Sequence, residues 1–504
     1  MRSLSSPANR LRNRTTAGAI ILVTSRLIAR GLDLGTLVVL GRLLSPADFG
    51  LVAIAMAVVQ IVEAVMELPL SLALVALPTR TKLHYDSAFT LQLARGMTLA
   101  AILLILAWPL SQIYSDHRLI WLVGALSIAP ASRGLISPRT VEYALNFNFL
   151  PSFTMEVAGK LVALVLSVSV ALLTESYWSI AIATIASPVT MLVVSYCFAP
   201  YLPAISLKEW RAFARYLGWT TASQAIAALV WQMDQLMLGR FVDRFELGRF
   251  SMASNLAVLP TQILVSQITS PLAVAFSSVR DDLGRLKAAY HKSAISIVAI
   301  GLPILVGISM NSEPIIRLTL GQKWMTAAPI LNWLSLAMIP SLFTGPLTPL
   351  AASLNRTSVF LRLSLAELCI KLPLMLVGLI YYGIPGVLAV RLITALAMSG
   401  CTMLVARELT GLRLRDQLLG PWRAMVSVAI MAAAIVPFEG AVANASDLIK
   451  LTLDLVIVGG VGAVVYVSSM FLLWGLVGRP DGLEFHIAKL LASWVRRVRR
   501  ISAE

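Results

Sequence analysis

The stretch LGRLLSPADFG, Leu40 to Gly50, stands between two long apolar runs, and LGRFVDRFELG, Leu238 to Gly248, stands in the same setting in the second half of the chain. Aligned, the two pair Gly41 with Gly239, Arg42 with Arg240 and Gly50 with Gly248. Ser45 faces Asp243 and Asp48 faces Glu246, so each copy offers an N-cap residue followed three positions on by an acid. That is the pattern of a capping box, in which two side chains satisfy the free N–H groups of a helix start. Pro46 fits the first helical position of copy one, where its missing N–H costs nothing. The spacing predicts a helix ending at each Leu-Gly-Arg and another opening just after it, a helical hairpin written twice.

The runs flanking these turns are typical of the whole chain. Of 504 residues 58% are hydrophobic and 13% charged, against about 25% charged in a soluble domain. Apolar runs lie near 17–40, 48–76, 86–109, 118–136, 151–173, 177–198, 216–239, 248–276, 288–310, 326–352, 359–382, 384–405, 424–439 and 451–476. Most reach the ~20 residues a bilayer-crossing helix needs. They are long and continuous rather than alternating over ~10 residues, which excludes a β-barrel and leaves helices. The N-terminus is basic and then apolar without a small-residue cleavage site, so it reads as an uncleaved first helix.

A net charge of +16 raises the question of nucleic acid, and its placement answers it. With the N-terminus in the cytoplasm and fourteen spans, 27 of the 41 Lys and Arg fall on the cytoplasmic side, 8 in outer loops and 6 within spans, charges at span edges being counted with the loops. That is the positive-inside rule: both termini are expected in the cytoplasm of an inner-membrane protein, with no nucleic-acid partner. Cys197, Cys369 and Cys401 lie in or at the edge of spans, and His84, His117, His291 and His486 are scattered. Neither a disulfide nor a metal site is written here, and no cofactor is expected. The chain has no phosphate-binding G-x-x-x-x-G-K-[ST] loop and no G-x-S-x-G elbow. Asp281 and Asp282 lack D-x-D spacing, and the longest outer loop is too short for a glycosyltransferase, polymerase or ligase site.

A second correspondence extends the repeat. MEVAGKL, Met155 to Leu161, matches AELCIKL, Ala366 to Leu372, pairing Glu156 with Glu367 and Lys160 with Lys371, and the same register pairs Pro138 with Pro349. The separation is larger than for the first match, which places a longer connection in the second half near Met310 to Trp324. The copies fall in spans 1 and 5, then 7 and 11. A unit of six spans keeps its copies the same way up, so the repeat is parallel and the path runs between the lobes. The expected fold is an all-α polytopic membrane protein of about 14 transmembrane helices, two six-helix lobes around a central cavity plus two C-terminal helices. The segments are a basic N-terminus 1–14, lobes 15–205 and 206–410, two further helices in 411–478, and a basic amphipathic tail 479–504 on the lipid surface.

Charges inside the spans carry the functional reading, because each costs on the order of 2.5 to 3.5 kcal/mol near a helix centre. Span 1 holds Arg26, Arg30 and Asp33; span 2 Glu63 and Glu67; span 3 Arg95; span 5 Glu156 and Lys160. Span 7 holds Asp234, span 11 Glu367 and Lys371, span 12 Arg391 and span 14 Asp454. Glu156 with Lys160, and Glu367 with Lys371, are spaced to close intrahelical pairs that merely ease insertion. Arg26 and Arg30 share a face, and Asp33 alone does not balance both. The alternative is a hydrated cationic cavity lined by Arg26, Arg30, Lys160 and Lys371, with Arg95 and Arg391 either joining it or snorkelling to the interface. Such a cavity suits phosphate, which accepts several charge-assisted hydrogen bonds. Asp33, Glu63, Glu156, Asp234 and Glu367 are candidates for ion pairing or for coupling to protons or sodium. Trp219, Trp231 and Trp333 read as packing or interface anchors before they read as a sugar platform.

The segment SRLIARGLDLGTLVVLGRLLSPADFGLVAIAMAVVQIVEAV, Ser25 to Val65, and within it Arg42 with LLSPADFGL, resembles the Wzx-type polysaccharide flippases. These form the exopolysaccharide and teichuronic-acid exporter branch of the multidrug/oligosaccharidyl-lipid/polysaccharide exporter superfamily. The likeness is specific at this hairpin and general over residues 15 to 410. It implies a V-shaped pair of six-helix lobes carrying an undecaprenyl-diphosphate-linked oligosaccharide outward by alternating access, with Arg26, Arg30, Lys160 and Lys371 matched to the cations that hold the diphosphate. It further implies exopolysaccharide repeat units as cargo, a monomer among membrane lipids, and a polysaccharide polymerase and chain-length regulator as partners. Two other classes stand beside a flippase: a cation-coupled multidrug exporter, and a scaffold of polysaccharide assembly that transports nothing. Arg42 and Arg240, in the turns on the outer face, at most guard an exit.

Overall fold

The computed structural model describes residues 7–66, 70–77, 79–210, 219–356, 358–438 and 447–478. The tail 479–504 and Glu67 lie outside the described residues, as does the side chain of Trp219. Regular structure among the described residues is helical throughout. Among the described residues nine helical stretches are long and apolar enough to cross a bilayer, and a pair bent by 54°, Arg118–Gly134 with Pro138–Leu145, makes a tenth. The described residues of each apolar run fall mainly on helix, and the chain is a polytopic all-α membrane protein.

The first of two compact units is Met1–Ser251. It contains α1 (Pro7–Leu43), α2 (Pro46–Val65), α3 (Leu70–Ala76), α4 (Lys82–Ile113), α5 (Arg118–Leu126), α6 (Ile128–Gly134) and α7 (Val141–Leu145). Then come α8 (Leu150–Thr174), α9 (Trp178–Phe198), α10 (Trp219–Phe241) and the opening of α11 (Arg244–Val279). Within the run 48–76, expected as one span, α2 ends at Val65 and α3 opens at Leu70. The unit passes the boundary expected at residue 205 because α10 packs along α2.

Small residues make these helices fit, as they must where lipid offers no hydrophobic drive between them. On α8, Met155, Gly159, Ala163, Ser167 and Ala171 form a buried stripe at four-residue spacing. A Cβ on Gly159 would stand 3.0 Å from the Ser187 carbonyl of α9. Gly96 of α4 and Gly134 of α6 meet the same way, each within 3.1 Å of the other's Cα if given a Cβ.

The two turns quoted at the outset pack on each other inside this unit. Ser45 and Asp48 close the expected capping box. In the second copy only its forward half forms: Asp243 accepts from the Glu246 N–H at 2.7 Å, while the Glu246 carboxylate turns to Arg249 instead. Gly50 and Gly248 are reciprocal contacts. A Cβ on Gly50 would stand 1.9 Å from the Arg244 carbonyl oxygen, and one on Gly248 would stand 1.7 Å from that of Pro46. The matched glycines are therefore the touching points of the matched hairpins.

The second unit, Met252–Glu504, holds the rest of α11 and then α12 (Leu283–Met310), α13 (Ser312–Thr319), α14 (Ala328–Ala337), α15 (Leu347–Ser353) and α16 (Ser358–Thr410). It ends with α17 (Leu414–Leu419), α18 (Trp422–Ile435) and α19 (Leu448–Leu476). The longer connection expected near Met310 to Trp324 is α13 with a 3₁₀ turn, Gln322–Ala327. The 53 residues of α16 are two helices joined at Gly383, whose φ of 59° suits glycine. The cores comprise Ile297, Val298, Leu302 and Leu305 of α12 against Val428, Met431, Ile435, Leu451 and Val458 of α18 and α19, and Phe276, Tyr290, Leu350 and Ala406 in a neighbouring cluster.

Both units repeat the same interruptions. One run of each is broken, 118–136 at α5–α6–α7 in the first and 326–352 at α14–α15 with a 3₁₀ turn, Ile339–Phe343, in the second, with Pro138 and Pro340 in the first two positions of the 3₁₀ turns. Positive-φ residues recur in step: Phe147 with Asn355 and Glu175 with Gly383, at one and the same separation.

Candidate functional site

The site is built on the face where α1 meets α8. Ser25 and Ala29 of α1 are buried against it. One turn further, Asp33 meets Lys160 of α8, Oδ1 to Nζ at 2.6 Å. Ser25 Oγ donates to Glu156 Oε2 at 2.8 Å. The intrahelical Glu156–Lys160 pair expected from spacing is thus replaced by two bonds across helices. The reason is register: α1 and α8 run in the same direction, so the upper residue of one meets the upper residue of the other. Asp33 and Lys160 remain about one-third exposed, and a charged pair at that exposure needs water within reach.

Arg26 and Arg30 sit one position round from the buried stripe and are exposed. Neither lies within ion-pairing distance of an acid among the described residues. With Asp33 turned to Lys160, the counter-charge anticipated for them is taken. Two exposed guanidinium groups one turn apart on α1, each with five donors in a planar fork, are chemically fit to grip a phosphate.

Other expected members stand elsewhere. The Glu63 carboxylate pairs with Arg133 of α6, and Arg95 Nη2 reaches the Glu63 carbonyl at 3.4 Å. These charges tie α2, α4 and α6 together, a structural job. Asp234 of α10 is fully buried, beside the seam where Gln232 Nε2 donates to Gln60 Oε1 of α2 at 2.5 Å. Lys371 of α16 is 5% exposed, while Glu367 and Arg391 are half-buried; all three belong to the second unit. Arg42 and Arg240 are exposed in the last turns of α1 and α10, where a cation complements the carbonyl end of a helix. Trp231 and Trp333 are each about half exposed, as anchors would be.

Several polar residues escaped the sequence reading because they lie in loops where charge is ordinary. Arg244 Nη2 donates to the Tyr114 carbonyl at 2.9 Å and its Nε stands 3.6 Å from Asp116 Oδ2. Asp116 is gripped by Arg118 through both Nε and Nη2, and Tyr114 donates to the Leu236 carbonyl at 3.0 Å. Burial pushes the Tyr114 hydroxyl up to about 12. Burial also works to raise Asp116, but hydrogen bonds and charge from Arg118, with Arg244 behind it, hold it below the usual carboxylate range. This network braces the Gly50–Gly248 contact.

Comparison with known sequences decides the family. Residues 39–329, more than half the chain, match the family described as polysaccharide biosynthesis protein. The chain belongs to that family. The resemblance read from Ser25 to Val65 is borne out. Among similar proteins, the succinoglycan biosynthesis transport protein ExoT of Rhizobium meliloti (strain 1021) is 26% identical over 63% of this chain and 64% of its own length. The match thus spans just under two thirds of that relative. The lipopolysaccharide biosynthesis protein WzxC of Escherichia coli (strain K12) is 22% identical over 73% of this chain and 76% of its own. Of solved structures, the lipid II flippase MurJ, inward closed, superposes with a TM-score of 0.67 at 14% identity, covering 91% of this chain and 99% of that one. An inward-facing multidrug resistance MATE family transporter of the MOP superfamily gives 0.59 at 15% identity, covering 75% and 93%. At these identities the structures establish the shared fold.

Proposed function

We propose that the protein is a flippase that moves an undecaprenyl-diphosphate-linked oligosaccharide across the bacterial inner membrane for exopolysaccharide or lipopolysaccharide biosynthesis, a transporter rather than an enzyme. The observation that carries the reading is the pair of exposed guanidinium groups, Arg26 and Arg30, inside the apolar run 17–40 and without an acid to meet them among the described residues. Left against hydrocarbon they would cost on the order of 2.5 to 3.5 kcal/mol each, so this face of α1 is a wet one. A diphosphate bound there exchanges water for charge-assisted hydrogen bonds from both forks and from Lys160. The prenyl chain stays in lipid while the headgroup crosses, and the lobes rock to open first inward, then outward. The printed names of the relatives, for succinoglycan and lipopolysaccharide biosynthesis, support this substrate class. Both termini lie in the cytoplasm, and the carrier works as a monomer beside the polymerase and chain-length regulator that take its product.

The test is complementation of a deletion strain. At normal protein level the Arg26→Ala/Arg30→Ala double variant abolishes polymer export, and lipid-linked precursor accumulates on the inner leaflet. Full export by that variant would sink the proposal. Loss of dye efflux with precursor handling untouched would instead assign the chain to multidrug export.

A further inference from the structure

Away from the α1–α8 face, unit 1 contains a cavity of about 720 Å³ at the end the charge bias assigns to the cytoplasm. Its walls are Lys82 and Tyr85 of α4, Arg139 just before α7, Tyr196 near the end of α9, and Tyr201 and Leu202 in the segment that follows. That segment is clipped across α4 by a row of hydrogen bonds. Asp86, buried, accepts from the Tyr201 hydroxyl at 2.6 Å and from the Ala204 N–H at 2.9 Å. Thr90 Oγ1 accepts from the Ser206 N–H at 3.0 Å, and Ser87 Oγ from the Glu209 N–H at 3.2 Å. From the other side, Ser137 Oγ donates to the Ala199 carbonyl and Tyr143 donates to that of Phe198. The Tyr85 and Tyr201 rings meet edge-on, centroids 6.3 Å apart. The cavity is preformed and its shape is held from both sides.

Its charge is net positive. Two cations, Lys82 and Arg139, stand with one acid, Glu142, which Arg139 Nε engages at 3.1 Å. Asp86 is spent on Tyr201 and Ala204. Lys82 is exposed and has no ion-pair partner among the described residues. Leu202 at the cavity is 88% exposed, and further along the same segment Ile205 is 81% exposed and Trp210 half exposed. Isolated apolar side chains at that exposure, beside the ends of membrane-crossing helices, rest in the bilayer interface. Two cations at a cavity bordered by an exposed leucine fit an amphiphile with a phosphate at one end.

We propose that this cavity binds the headgroup of an anionic phospholipid of the bilayer, with Lys82 and Arg139 on the phosphate and Leu202 and Ile205 against the acyl chains. The site is separate from Arg26 and Arg30 and does not depend on the cargo proposed for them. Phosphate is shared by a bilayer lipid, a free phosphate ester and a lipid-linked sugar, so the test separates the sources. Phosphatidylglycerol is titrated into the purified full chain in neutral detergent and retained lipid is read by native mass spectrometry, with phosphatidylcholine and glycerol phosphate in parallel. Phosphatidylglycerol is retained, phosphatidylcholine is not, and millimolar glycerol phosphate does not displace the lipid. Lys82→Ala/Arg139→Ala weakens retention at least tenfold. Leu202→Glu, which leaves both cations and touches no buried contact, weakens it as well. Arg26→Ala/Arg30→Ala retains lipid as the parent does. Undiminished retention by the Lys82/Arg139 variant overturns the proposal, as does equal retention of phosphatidylcholine. Displacement by glycerol phosphate assigns a soluble ligand and overturns it too, and loss of retention in the Arg26/Arg30 variant moves the lipid to the α1 face.

Discussion

A lysine in a membrane helix is tolerated when an acid from a neighbouring helix meets it, and Lys160 meets Asp33 at 2.6 Å. Asp33→Ala removes that acid and leaves the ammonium beside Arg26 and Arg30, three cations on one face. Protein level and export both fall in this variant, and the exchanged pair Asp33→Lys/Lys160→Asp recovers protein level. A double-mutant cycle on thermal unfolding in detergent gives a coupling of about 1 kcal/mol, the upper range for partly exposed pairs. Asp116 makes a second prediction. Its carboxyl lies below the unfolded value near 3.9, so its contribution is complete above that value and is lost as pH falls through the lowered one. Melting temperature is therefore flat between about pH 5 and 8 on account of this group, and Asp116→Asn flattens the decline below about pH 4. The in-span charges were legible from composition alone, because any charge stands out in an apolar run. Their partners were not, since pairing depends on which helix lies alongside and in which register. Arg133, Asp116 and Arg244 were invisible for the opposite reason, sitting among ordinary loop charges.

Helices that touch through glycine fix their own spacing. At Gly50 and Gly248 the approach is so close that a Cβ would overlap a backbone carbonyl, which no rotamer change relieves. Gly248→Val forces α2 and α11 apart at their N-terminal turns and costs at least the 1–3 kcal/mol of ordinary overpacking. A fall in melting temperature in detergent, larger for Gly248→Val than for Gly35→Val on α1, where a Cβ meets open space, checks this. The repeated turn announced this contact in part: the glycines matched in sequence, and their matching role became visible once the hairpins were seen face to face. The turns that follow were less legible. Gly383 and Asn355 are readable turn residues, but their counterparts Glu175 and Phe147 have side chains that rarely adopt positive φ, so nothing local marked them.

At the scale of the molecule, the two C-terminal helices were expected as an appendix outside the repeat. Their packing gives them a larger part. Val428, Met431, Ile435, Leu451 and Val458 complete the core of the second unit against α12, and Tyr466 donates to the Ala299 carbonyl at 2.6 Å. A chain ending at Gly420 exposes this face of α12 and fails to accumulate in the membrane, as a blot of membrane fractions against the full chain reveals. The all-helical, membrane-spanning character followed from hydropathy because membrane insertion reads the same property. The division of the chain at Ser251 did not, because it arises from α10 lying along α2, a long-range choice that no local pattern encodes. That choice has a consequence for biogenesis. Nearly every side of α2 is buried, and α10 emerges from the ribosome more than 150 residues after it. During synthesis α2 must wait in the membrane with an unfinished flank, and a nascent chain paused before Trp219 is a natural substrate for insertion chaperones and quality-control proteases.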